Sequence, residues 1–209
     1  MGAFKTFWQA LRDLHDELFL FAGVSVLWWL GILLVVPGPP VTAGLYSLAC
    51  RTAHEQRVEF GFFWQEIRQR FGKSWQLAAV NLFALVVVLV NFLFYWNLQN
   101  FLRYAVVVWA YLFLLWLGVQ LYLFPLLFEM EEPRLRWLLR NAVLLPLIRP
   151  GYTLLLLLLL LAATALGLVL PFLLLIVWPA LVALVGARAT AAMVEEVAAR
   201  RAPSSGPES

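Results

Sequence analysis

Three amides interrupt the apolar runs of this chain: Asn81 and Asn91 in one run and Gln120 in the next. Inside lipid an amide needs a partner, and such interhelical bonds average about 0.6 kcal/mol. Bundle glue is the first reading of these residues, and the lining of a solute path is the second. Asn81 and Asn91 are ten residues apart, which sets them about 80° apart on an ideal helix. They therefore do not form one polar stripe. No ionisable residue falls at mid-span, where one would point to proton- or ion-coupled transport. Arg103 and Glu129 stand at span ends, from which they reach the headgroups by snorkelling. Glu129, Glu131 and Glu132 could hold a metal if Asp or His stood beside them. Pairing with Arg134, Arg136 and Arg140 is the better reading, with Glu132 to Arg136 in the favourable i,i+4 order. His15 lies among Asp13, Asp16 and Glu17, but no second histidine falls at ligand spacing. His54 reads as a loop residue. The chain has no serine–histidine–acid set, no phosphate-binding glycine loop and no paired carboxylates within the membrane. We therefore assign no catalytic, cofactor-binding or metal residues, and the chain reads as a non-enzyme.

The elements that position these residues belong to a membrane fold. From Tyr152 to Ala187 there is no charged side chain, and Leu154 to Leu161 are consecutive leucines. The chain is 64% hydrophobic and 13% charged, against about 25% charged for a soluble domain. About 20 apolar residues in a helix cross the hydrocarbon layer, so the leucine-rich stretch suits two spans, 152–168 and 171–187, with a turn at Gly167. Residues 18–36, 75–96 and 104–128 supply three more. Helices are required because lipid offers unpaired backbone groups no water. The segment 40–53 reaches only about 21 Å at 1.5 Å per residue. Pro37, Gly38, Pro39 and Pro40 break the chain before it. It either lies in the interface or forms a short helix that returns to the side it came from. The expected fold is all-α: one polytopic helical membrane bundle over residues 1–201, with five full spans plus the short helix. The tail 202–209 is polar and proline-rich and is expected to be disordered.

Charge sets the orientation. If the short helix returns, every one of the fifteen Lys and Arg residues except Arg103 lies on one side. If it does not, Lys5 and Arg12 join Arg103 opposite. Both arrangements obey the positive-inside rule, and the first is favoured, with both termini cytoplasmic. Cys50 is the sole cysteine, so no internal disulfide forms. Ser47-Leu48-Ala49-Cys50 is only faintly like a lipoprotein cleavage box, and small residues packed on a helix are the plainer reading. The first apolar stretch is longer than a signal core and lacks a small-residue cleavage site after it.

Three amphipathic segments precede hairpins. Phe4, Phe7, Trp8, Leu11 and Leu18 share one helical face, as do Phe60, Phe63, Trp64, Ile67 and Phe71, and again Leu135, Leu138, Leu139, Ala142 and Val143. This spacing marks amphipathic helices. Their basic polar faces suit the headgroup layer, with Arg68, Arg70, Lys73, Arg134, Arg136 and Arg140 as contacts for cytoplasmic lipid or a partner. The three units would be 4–53, 60–128 and 134–188, each an interfacial helix followed by a hairpin. Ala183, Ala187 and Ala191 recur every four residues beside Gly186. They allow another helix to approach closely, in this chain or a second copy, and Gly44 is a further packing candidate. Pro125 and Pro179 should kink their helices.

The blocks Pro40-Val41-Thr42-Ala43-Gly44-Leu45-Tyr46, Phe63-Trp64 through Phe71 with Asn81 beyond, and Phe124-Pro125-Leu126-Leu127 with Arg140-Asn141-Ala142 occur in order. In this the chain resembles the YesL family of bacterial integral membrane proteins, which has no assigned activity. It departs from the family pattern at His54-Glu55, which follows Arg51 without the family's glycine. The resemblance implies an accessory role beside a carbohydrate uptake system in the bacterial inner membrane. The expected function is thus a non-enzymatic membrane accessory or scaffold. Its expected partners are the lipid bilayer and a transporter component or a second copy, with no nucleic acid. The alternative is a small-solute channel or carrier.

Overall fold

The computed structural model describes residues 2–130 and 134–201. The tail 202–209 and the residues Glu131 and Glu132 lie outside the described residues, and so do the expectations placed on them. The described chain is helical without a strand: α1 (Ala3–Asp16), α2 (Leu18–Leu33), α3 (Gly38–Ala53), α4 (Phe60–Gln69), α5 (Phe71–Asn97), α6 (Val106–Leu123), α7 (Leu126–Glu129), α8 (Leu135–Ile148), α9 (Pro150–Gly167) and α10 (Pro171–Arg201). A 3-10 turn, Phe101–Ala105, leads into α6.

Four stretches are long and apolar enough to cross a bilayer: Phe71–Asn97, Phe101–Leu123, Pro150–Gly167 and Leu175–Ala199. α1 and α2 make a fifth if taken together, although the pair is bent by 94°. The protein is an all-α membrane bundle. The bend at Glu17 sets α1 across the direction of α2, as a helix lying in an interface must lie relative to one entering the bilayer.

The prolines start α3 rather than merely preceding it. Pro39 and Pro40 occupy its first turn, where the missing N–H groups would have no intrahelical partner anyway. The reversal before them falls on Val35, whose φ of 61° lies in the left-handed region. That conformation costs a β-branched residue about 1–2 kcal/mol. The Trp28 indole donates to Thr42 across the resulting hairpin at 2.9 Å. Trp75, in the second turn of α5, donates to the Val36 carbonyl at 3.0 Å, so the tip of this hairpin lies beside the start of α5. The first hairpin therefore leans across α5 and does not run along its whole length.

Helix α3 lies in the interior. Its Gly, Ala and Ser positions are nearly all buried, and α2, α4, α5 and α10 pack around it. Of the most apolar part of α10, 61% is buried, against 11% for α5. α10 is thus the spine, while α5 turns Phe83, Val90 and Phe94 outward, as a lipid-facing span does. Ala183, Gly186 and Ala187 are buried within this chain. Their stripe is taken up by α1, α2, α3 and α6, so it is not left as a face for a second copy. Pro125 separates α6 from the single turn α7, whereas α10 continues through Pro179.

The packing is cyclic. Three amphipathic helices, α1, α4 and α8, each precede a pair of helices: α2–α3, α5–α6 and α9–α10. α4 packs on α3, α8 on α6 and α1 on α10, so each amphipathic helix rests on the second arm of the preceding pair, and the first rests on the last. The first arms follow the same rule: α5 touches α3, α9 touches α6 and α2 touches α10. The contacts of α1 show why the ring closes. Ala3, Thr6, Ala10 and Leu14 are its buried face. Thr6 and the Tyr152 hydroxyl lie 2.8 Å apart. Asp13 accepts two hydrogen bonds from Arg188, at 2.7 and 2.9 Å.

A Cβ placed on Gly186 would lie 2.6 Å from the Leu121 carbonyl oxygen, whereas one on Gly61 would meet nothing. Gly186→Ala is expected to lower thermal stability in detergent by about 1–3 kcal/mol, as overpacking does. Gly61→Ala is expected to be neutral or stabilising by up to about 1 kcal/mol. Paired melting curves check the contrast.

Candidate functional site

The side chains that can do chemistry gather where α3 ends. His54 caps α3, and Glu55 leaves the helix at φ 56°. α4 then packs back against α3, with Phe63 and Ile67 over Gly44. This brings Glu66 and Arg70 beside the end of α3. Pro125 interrupts the helix from the other side, and α7 carries Glu129 into the same place. The result is a polar cavity of about 220 Å³, lined by Ser47, Cys50, Arg51, His54, Gln56, Glu66, Arg70, Phe128 and Glu129.

Its charges are mostly paired. His54 Nε2 lies 2.7 Å from Glu129 Oε1. Arg70 donates to Glu66 at 2.9 Å and to the Leu127 carbonyl at 3.1 Å, and its guanidinium lies 4.8 Å from the Phe128 ring centroid. Arg51 lies 4.1 Å from the Phe62 ring centroid. The hydroxyls are already engaged: Ser47 donates to the Gly44 carbonyl and Thr52 to the Leu48 carbonyl, both at 3.0 Å. The buried Cys50 thiol faces the Pro125 carbonyl at 4.0 Å. The histidine–carboxylate pair is the orienting half of an acid–base set, but neither hydroxyl is directed at it. Among the described residues no three His, Cys, Asp or Glu side chains are grouped to hold a metal ion. What the arrangement offers is recognition of a small polar or charged group.

The amides named from sequence separate into two cases. Asn81 and Gln120 bond reciprocally, with Asn81 Nδ2 donating at 3.1 Å and Gln120 Nε2 donating back at 2.8 Å. The Trp116 indole adds a third bond to Asn81 at 2.9 Å. This cluster joins α5 to α6. Asn91 does not join it, and instead donates to the Val87 carbonyl of its own helix at 2.8 Å.

The basic candidates divide as well. Arg68, Lys73, Arg136 and Arg140 are exposed, and Arg134 is exposed just before α8. Arg70 is turned inward, where Glu66 and the Leu127 carbonyl hold it. Glu129 does not pair with Arg134, Arg136 or Arg140. The break at Pro125 turns it toward α3, and His54 takes it. His54 is thus a contact residue between α3 and α7, and not a loop residue alone. Asp13 sits off the apolar face of α1 and is nonetheless half-buried, paired with Arg188.

Sequence reading missed this group because Cys50, Arg51 and His54 at the end of α3 meet Glu66 of α4 and Glu129 of α7 only in the fold. His54 and Glu129 are 75 residues apart. The one local signal is Pro125, which ends α6 just before an acidic residue. No family model, curated protein or solved structure matches the chain, so the site is read from its geometry.

Glu129→Ala is expected to cost about 1.5–3 kcal/mol of stability, the range for a hydrogen bond to a charged group. His54→Ala should cost a similar amount, and the double variant little more than either. Melting curves of the three variants in one detergent check this, and full additivity would count against the pair.

Proposed function

We propose that this chain is a non-enzymatic accessory or scaffold protein of a bacterial cytoplasmic membrane, with both termini cytoplasmic. One observation carries the reading: each amphipathic helix presents a tryptophan beside an exposed arginine. Trp8 precedes Arg12 on α1, Trp64 precedes Arg68 on α4, and Trp137 precedes Arg140 on α8. The three tryptophans are 60%, 46% and 49% exposed. The Arg140 guanidinium lies 5.4 Å from the Trp137 ring centroid. Each pair faces out from a helix whose other side is docked on the bundle. Tryptophan favours the headgroup level, and arginine favours anionic phosphate. Three such pairs form a surface suited to an anionic leaflet or to the cytoplasmic domain of a membrane partner.

The close packing of side chains around α3 and α10 favours a static role over a conduit. Tyr122, Leu45, Leu48, Leu121 and Leu184 are fully buried, and Tyr46 stacks on Phe124 at 5.4 Å. The amides that would line a path, Asn81 and Gln120, bond each other. The orientation rests on the positive-inside rule. The link to carbohydrate uptake, and to a transporter component as partner, rests on the resemblance to the YesL family.

Proteoliposomes of the pure protein are expected to pass neither ions nor small sugars above the rate of empty vesicles. Cross-linking in native membranes is expected to capture a transporter subunit, and Trp64→Ala with Arg68→Gln should weaken that capture. Solute flux by pure protein would replace this reading with the channel or carrier. Isolation of the chain alone after cross-linking, with uptake unaltered in a deletion strain, would count against the accessory role.

A further inference from the structure

The polar cavity at the end of α3 holds three basic side chains, and two of them are matched. Arg70 is bound to Glu66 and His54 to Glu129. Arg51 has no carboxylate partner among the described residues; it rests only on the face of Phe62. A half-buried guanidinium without a counter-charge loses solvation that nothing in the protein returns. Its planar fork of N–H groups, with one face covered by an aromatic ring, leaves its edge open. That is the geometry with which arginine takes phosphate. The Gln56 amide and the remaining N–H groups of Arg70 line the same cavity and supply further donors. The space, about 220 Å³, has room for a phosphate group.

We propose that this cavity binds a phosphate-type anion, with Arg51 as its principal ligand. The position allows two sources. A free phosphate could enter from the water, or the phosphate of an anionic lipid could enter from the headgroup layer, which the amphipathic pattern of α4 suits. The inference does not depend on the accessory role proposed above, because the anion site and a membrane partner would be read by different measurements.

The test uses the full chain in nanodiscs of zwitterionic phosphatidylcholine, in phosphate-free buffer. Phenylglyoxal modification of each arginine is followed by peptide mass spectrometry. Millimolar inorganic phosphate, or exchange of the lipid for phosphatidylglycerol, is expected to slow modification of Arg51 about tenfold, in keeping with charge-assisted binding. Arg57, with its side chain 87% exposed, should change little. Protection by inorganic phosphate alone would assign a soluble anion. Protection by phosphatidylglycerol alone would assign a lipid headgroup. Equal behaviour of Arg51 and Arg57 in both arms would overturn the proposal. Native mass spectrometry gives a second reading: Arg51→Gln should lose the bound anion, Arg51→Lys should keep part of it, and Arg57→Gln should match the unmodified chain. An Arg51→Gln protein that keeps the anion would overturn the proposal as well. The labelling arm uses the native sequence, so it stands even if a variant does not fold.

Discussion

Helix α10 approaches α6 so closely that a methyl group on Gly186 would meet the Leu121 carbonyl oxygen at 2.6 Å. In lipid this contact cannot come from a hydrophobic drive, because the acyl chains are as apolar as the side chains. Close backbone approach and van der Waals contact take its place. The small residues of α10 make that approach possible on several sides at once. α1, α2, α3 and α6 all pack on this helix, and the buried group from Ala180 to Ala191 is made largely of alanine and glycine. A larger side chain in that stripe would push these helices away from α10.

The cyclic order of the helices follows from the same constraint. An amphipathic helix with one apolar face could lie on the membrane alone. α1, α4 and α8 instead each turn a face to the bundle, a separate one in α1 and part of the apolar face in α4 and α8. In α1 that face is Ala3, Thr6, Ala10 and Leu14, and in α4 it is Phe63 against Gly44. In α8 it includes Leu138, Ala142 and Pro146, with Pro146 over Gly118 of α6. Each amphipathic helix therefore docks on the hairpin before its own. The inner face of α1 packs mainly on α10 and α9, and Asp13–Arg188 closes the ring across 175 residues.

Polar groups inside the protein follow from satisfaction of hydrogen bonds. The Asn81–Gln120 amides and Trp116 bind each other in the span region, where no water would serve them. Tyr122 and Thr153 do the same at 2.9 Å between α6 and α9. The Ser25 hydroxyl on α2 is the exception among the described residues: it is buried without a partner. Charges are held back to the level of the amphipathic helices, where Asp13–Arg188, Arg149–Glu196 and His54–Glu129 tie separate elements together.

The sequence by itself determined the class of fold. Long uncharged runs allow only helices in lipid, prolines and charges mark where the helices end, and 3.6-residue periodicity marks α1, α4 and α8. Those signals are local, and a local rule acts on neighbours in the chain. Tertiary structure alone decided that α3 is an interior helix, that Arg70 and Asp13 turn inward, and that Glu129 meets His54 and not an arginine of α8. It also assembled the cavity around Arg51, whose lining comes from α3, α4, α7 and the segment between α3 and α4. No pattern in one element could announce that cavity. Its residues become neighbours only after Pro125 breaks α6 and Gly44 lets α4 settle against α3.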